Sequence, residues 1–106
     1  MLKINIAKDF NRFPSGRFKR LGTTSGEGFR ELFLETPLRD GKKIIIELDG
    51  TIGYGSSFLE EAFGGLIRVL KISPVELKAK IHLVSEDPAL IEEILGYIDD
   101  AGREQN

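Results

Sequence analysis

Ile44, Ile45, Ile46 and Leu48 form an almost unbroken run of β-branched and aliphatic side chains, interrupted only by Glu47. Such a run is the composition of a strand covered on both faces, which places it at the centre of a sheet. Immediately after it, Gly50, Gly53 and Gly55 permit a tight turn where side chains would obstruct the backbone. The segment that follows has helical periodicity: Phe58, Ala62, Phe63, Leu66, Ile67 and Leu70 share one stripe, with Glu60, Glu61, Arg68 and Lys71 elsewhere. Gly64 and Gly65 interrupt this helix, each costing roughly 1 kcal/mol relative to Ala. A close approach of the sheet backbone or of a neighbouring helix is therefore expected there.

The rest of the chain supplies partners for this unit. Leu2, Ile4 and Ile6 alternate with polar residues, the period of a half-buried strand. From Asp9 to Thr24 the pattern breaks into a structured loop, with a short strand expected near Arg17 to Leu21. Thr24 and Glu27 have capping-box spacing, and Phe29, Leu32 and Phe33 fall on one face of a helix from about residue 25 to 36, stopped by Pro37. Asp40-Gly41 makes a turn. After Pro74, Ala79, Ile81, Leu83 and Val84 read as a third main strand. Asp87 then caps a last helix with Pro88 in its first position and Leu90, Ile91, Ile94, Leu95 and Ile98 on its apolar face. From Gly102 onward a frayed tail is expected. The order implies an α/β fold, a single layered domain over residues 1–106. Its sheet is mixed or mostly parallel, of about four strands with about three helices, joined by right-handed crossovers.

Composition narrows the possible chemistry. At 106 residues with 41% hydrophobic and 30% charged side chains, the chain can bury a core of its own and needs no partner to fold. It has no cysteine, which removes disulfides, thiolate metal sites and cysteine nucleophiles. No long apolar run and no charged leader followed by an apolar stretch occurs, so a cytoplasmic location and no membrane partner are expected. The net charge of -2 is uneven. Residues 1–24 hold Lys3, Lys8, Arg12, Arg17, Lys19 and Arg20 against Asp9 alone, leaving the remainder acidic.

Catalytic groupings find little support. The glycines near residue 50 lack the lysine of a phosphate-binding loop. Glu60 and Glu61 are adjacent on a helix and so point about 100° apart, which suits stabilisation of the helix dipole better than an acid–base pair. His82, the single histidine, has no second nitrogen or sulfur ligand to join it on a metal. A triad spelled from Ser56 and His82 lacks an oxyanion signature. No cofactor is expected. Ser57 and Glu60 have the spacing of a second capping box, which leaves Ser56 just outside the helix, where ligands and modifications commonly meet an open α/β sheet. A phosphate there would be welcomed by free helix amides and repelled by Glu60 and Glu61. Arg12, Arg17, Lys19 and Arg20 interleave with Phe10, Phe13 and Phe18, a mixture also found in single-strand nucleic-acid grooves.

The stretch IIIELDGTIGYGSSFLEEAFGGLIRVL, from Ile44 to Leu70, resembles the STAS-like domain family of unknown function and, more distantly, the STAS domains of anti-sigma-factor antagonists. In those antagonists a strand leads into Asp-Ser-Ser-Gly and a helix, and the first serine is a phosphorylation switch. Ser56 matches that serine and Ser57 its neighbour. Gly55 stands in place of the Asp and Phe58 in place of the Gly, while Ser-Ser-Phe, the acidic pair and Ala-Phe-Gly look like the STAS-like family itself. The resemblance implies a STAS-like, non-enzymatic regulatory module. It would dock a protein partner through Gly53, Tyr54, Gly55, Phe58 and Glu61 and the exposed side of the helix, with Ser56 and Ser57 at the contact. By analogy that partner is a histidine-kinase-like ATPase, with Ser56 as the switch. The alternative is a nucleic-acid-associated protein that binds through Arg12, Arg17, Lys19 and Arg20.

Overall fold

The isoleucine run is the middle strand of a three-stranded, wholly parallel sheet. The computed structural model describes residues 1–104. In it β1 (Leu2–Asn5), β2 (Ile44–Glu47) and β3 (Ile81–Val84) lie in the order β1-β2-β3. Their register sets Leu2 against Ile44 and Ile44 against Ile81. No strand forms near Arg17: Lys19–Leu21 is a single 3₁₀ turn, and the carbonyls of Gly16 and Arg17 accept instead from the amides of Gly26 and Glu27.

Strands added one after another in one direction by right-handed crossovers carry every connecting helix to the same face. Burial follows that rule. Ile4, Ile44, Ile46 and Leu48 are buried, whereas Lys3, His82 and Val84 on the other face are exposed and Ile45 and Glu47 are half-buried. The expectation of a strand covered on both faces is thus corrected. Covering the alternate face of so small a sheet is unnecessary, because its side chains are mostly polar and Lys3 pairs with Glu47 across it at 3.7 Å.

Among the described residues, six α-helical segments, three π-helical turns, the first at Ile6–Phe10, and the 3₁₀ turn complete the fold. The run 26–39 consists of α1 (Gly26–Phe29), a π turn (Arg30–Leu34) and α2 (Glu35–Arg39). Its start is capped by Ser25, not by Thr24: the Ser25 hydroxyl accepts from Gly28 N at 3.0 Å, while Glu27 accepts from Lys19 N. Pro37 does not stop it. The π turn sends the Glu35 amide back to the Arg30 carbonyl, so Pro37 falls in the first turn of α2, where a missing N–H is tolerated.

The run 56–70 consists of α3 (Ser56–Leu59), a π turn (Glu60–Gly64) and α4 (Gly65–Leu70). It is buried on nearly every side, with Leu59, Glu61, Gly64 and Gly65 as covered as the expected stripe, since α1 and α6 both pack on its π turn. A helix α5 (Pro74–Lys80) occupies the segment before β3 and includes Ala79, which the sequence pattern assigns to the strand. Ser73 caps it by accepting from Glu76 N at 3.1 Å. The last helix, α6 (Pro88–Glu104), starts as expected, with the Asp87 carboxylate accepting from Ala89 N at 3.1 Å. It continues through Gly102, which packs against Pro74, so the frayed tail expected from that glycine does not begin there; Gln105 and Asn106 lie outside the described residues.

The core has an aromatic centre. Phe29 lies 5.3 Å from Phe10, 5.5 Å from Phe33 and 5.9 Å from Phe58, measured between ring centroids. Two helices meet here at Gly26, where an added methyl would collide with the Phe58 carbonyl oxygen and lie 3.0 Å from Ala62 N. At Gly64 the place of the missing methyl is taken first by the Glu60 carboxylate, one turn earlier on the same helix, with Tyr97 O of α6 at 3.4 Å, and at Gly65 by the Arg30 guanidinium from the neighbouring helix run.

Two substitutions separate packing from helix propensity. Gly26→Ala should lower unfolding free energy by about 1–3 kcal/mol through overpacking. Gly96→Ala, in α6 with open space around it, should raise it by up to about 1 kcal/mol. Urea denaturation of both variants checks the pair; equal effects of the same sign would contradict this packing.

Candidate docking site

The turn from Asp49 to Gly55 is braced from below and from both sides. Leaving β2, Asp49 accepts from Ser85 Oγ at 2.6 Å and from Glu86 N at 2.9 Å, bonds that hold its carboxyl below the ordinary carboxylate range, the serine contributing most. Ser85 Oγ in turn accepts from Asp87 N at 3.0 Å, so the exits of β2 and β3 are tied together at the carboxyl end of the sheet. Gly50 (φ 102°) and Gly53 (φ 74°) adopt left-handed backbone, open to glycine and costly for other residues. Ile52 N donates to Arg12 O at 2.8 Å, fastening the turn to the N-terminal loop. The Tyr54 hydroxyl donates to Leu48 O at 2.6 Å, and burial pushes its pKa up to about 12.

The braced turn ends at Gly55, whose extended backbone (φ -74°, ψ 140°) starts α3. Ser56 and Ser57 are its first two residues, and both are exposed. Gly53 and Gly55 are exposed beside them and Tyr54 is half-buried. Beyond the turn lies an open crevice of about 240 Å³ lined by Asp49, Gly53, Tyr54, Asp87, Leu90 and Glu93.

Three sequence expectations need correction here. The capping box of Ser57 and Glu60 does not form: the N-cap is Gly55, with no side-chain cap bond, and Ser56 lies inside the helix as its first residue. Phe58 has no exposed surface and Glu61 only 8%, so neither belongs to a docking surface, and the helix offers almost no exposed side. Nor is it the helix dipole that holds the two glutamates, because three arginines claim them.

Arg68 donates to Glu60 at 2.7 and 3.1 Å, and Arg17 reaches both glutamates. Arg30, only 4% exposed, donates to Glu61 Oε2 at 2.6 Å, to the Glu61 carbonyl at 2.8 Å and to Glu35 Oε2 at 2.7 Å. Three guanidinium groups thus face three carboxylates. Burial alone would lower the Arg30 pKa, but hydrogen bonds to Glu35 and Glu61 outweigh it and raise the pKa. Burial alone would raise that of Glu60, but Arg68 and Arg17 overcome it and hold Glu60 below the ordinary range. No spacing rule pointed to Arg30; its one sequence signal is a charge set among Phe29, Phe33 and Leu34 on the apolar helix.

The basic N-terminal residues do not converge. Arg17 is drawn onto the glutamate pair and Lys19 pairs with Glu31. Arg12 and Arg20 are exposed, Arg20 lying 5.4 Å over the Phe18 ring. Of the interleaved aromatics, Phe10 is half-buried against the core and Phe13 is in solvent. His82 stands on the open sheet face beside Ile45, away from Ser56, whose helix packs on the other face. Among the described residues no group of three or more His, Asp or Glu could hold a metal ion, and no helix is long and apolar enough to cross a membrane.

The family model of a STAS-like domain of unknown function (DUF4325) matches residues 25–90, from the cap of α1 to the first turn of α6. No curated protein and no solved structure matches the chain.

The charge cluster predicts a defined response to acid. A depressed carboxyl stabilises the fold fully above its ordinary pKa of 4.5 and loses that contribution as pH falls through the lower folded value. Glu60→Gln should therefore be less stable than the parent at neutral pH and lose less between about pH 6 and pH 3. Arg30→Met, which removes the short bonds to Glu35 and Glu61 and leaves Glu61 only Arg17 and Arg68 at 3.4 Å, should cost about 3 kcal/mol at pH 7. Urea titrations across pH check both; parallel pH profiles for parent and Glu60→Gln would contradict the assignment.

Proposed function

This chain belongs to the STAS-like domain family of unknown function, and from that premise we propose that it works as a regulatory binding module whose contact point is the serine pair at the start of α3. The observation that carries the reading is Ser56 and Ser57, exposed on an uncapped helix start at the carboxyl edge of a parallel sheet, while residues 58–67 of the same run are buried but for the half-buried Glu60. Ligands of open α/β sheets gather at that edge. The module has no catalysis of its own in this reading. Its partner is a histidine-kinase-like ATPase, and Ser56 is the switch.

Two features support the switch. With no side-chain cap, the first amides of the run 56–70 and its dipole favour an added phosphoryl group. Glu60 and Glu61, whose charge would repel it, are neutralised by Arg17, Arg30 and Arg68. The nucleic-acid alternative has lost two of its four bases, since Arg17 and Lys19 are already paired with carboxylates.

Incubation of the chain with the histidine-kinase-like ATPase encoded nearest to it, with and without ATP, tests the proposal. Calorimetry should detect a complex, and intact-mass measurement should show one phosphoryl group. That group should disappear in Ser56→Ala and persist in Ser57→Ala, and Ser56→Asp should weaken the complex. Neither complex nor mass gain would overturn the reading.

A further inference from the structure

We propose that Arg12, Phe13 and Ile52, together with the start of α3, form the seat for an acidic, amphipathic segment of the partner protein; this rests on the binding-module reading above. Phe13 and Ile52 are each 61% exposed, unusual for side chains that large and apolar. They belong to two loops that touch: Ile52 N bonds to Arg12 O at 2.8 Å, and Phe13 is the next residue. Ser56 is the fourth residue after Ile52 in the chain.

The two loops are held in place. Phe13 N donates to Asn11 Oδ1 at 2.7 Å, Pro14 behind it is buried, and Ser15 N donates to Thr24 O at 3.1 Å. Gly50 lies against Ala7, an added methyl there falling 3.2 Å from its Cβ. Phe13 and Ile52 are thus presented by fixed backbone, the arrangement that lets a partner gain apolar burial without first paying to order a loop.

Charge selects the partner. Arg17, Lys19 and Arg30 have carboxylates within ion-pair distance, whereas Arg12, like Lys8 and Arg20 of the same segment, has none among the described residues. Asp9 and Asp49, the acids closest along the two loops, accept from the amides of Asn5 and Glu86. The uncapped start of α3 adds partial positive charge. Two apolar side chains beside two unanswered positive groups fit a segment carrying apolar residues and carboxylates. A nucleic-acid strand fits less well, because Phe13 offers one exposed ring and Arg20 already covers Phe18.

The test places a photo-crosslinking amino acid at position 13, 52 or 75 of the full chain in its host cells. Val75, 79% exposed on α5, is the control for an apolar side chain elsewhere. Positions 13 and 52 should react with one and the same protein segment, mapped by mass spectrometry to a stretch of apolar residues with Asp or Glu. Arg12→Glu should cut that yield about tenfold or more, and position 75 should give no such adduct. Adducts from position 75 but not from 13 or 52 would overturn the seat and leave the module reading standing. A basic segment, RNA or a second copy of this chain as the captured species would also overturn it. Absence of adducts from all three positions, with no complex in calorimetry, would remove both.

Discussion

Arg30 is the interaction on which the arrangement of the site depends. Its guanidinium is almost out of contact with water and bonds a carboxylate on its own helix run together with a carboxylate and a carbonyl on the run 56–70. A buried cation is tolerated only with its donors answered, and it is least replaceable when its partners would be left charged and alone. Gly65 exists to make room for it, since any side chain there would occupy the same space. One helix is thereby locked onto another, and the second carries the serines.

From that lock the rest follows by geometry. The run 56–70 becomes the buried axis of the helical layer, wrapped by α1, α5 and α6, so the surface it retains lies at its beginning and, through Val69, near its end. The turn that delivers this beginning is stiff: Asp49 is bound to the β3 exit, Tyr54 to Leu48 and Ile52 to the N-terminal loop. A contact point on a rigid element needs little ordering when a partner arrives. The sheet plays a supporting part, one face packed and the other left to polar side chains, because sequential strands with right-handed connections collect all helices on one side.

Much of this was legible in the sequence and some was not, for identifiable reasons. The isoleucine strand, the glycine turn, the helix after it and the Asp87-Pro88 start of α6 all carry short-range signals that the fold obeys. Helix α5 has such a signal too, in Ser73, Pro74 and Glu76, but it is short, and Leu77 is its one buried residue, so its apolar pattern is thin. Pro37 misled because a π turn shifts the ladder ahead of it, and Thr24 misled because Ser25 beside it has the same capping chemistry. Ser56 and Ser57 stand exposed at the start of α3, whereas Phe58 and Glu61 are buried, because neighbours on a helix turn by about 100° and a helix enclosed on nearly every side has little outer face to assign. Ion pairs between residues 31 and 43 positions apart, such as Arg30 with Glu61 and Arg17 with Glu60, leave no trace in local spacing.

The central claim is that one helix is locked through its middle and open at the serines where it begins. Native-state amide hydrogen exchange measures this directly. The amides of Leu59 to Leu70 should exchange as slowly as global unfolding allows, while those of Ser56 and Ser57, without an acceptor in the fold, should exchange orders of magnitude faster. Equal protection of the serine amides and the helix body, or rapid exchange throughout residues 59–70, would contradict the account.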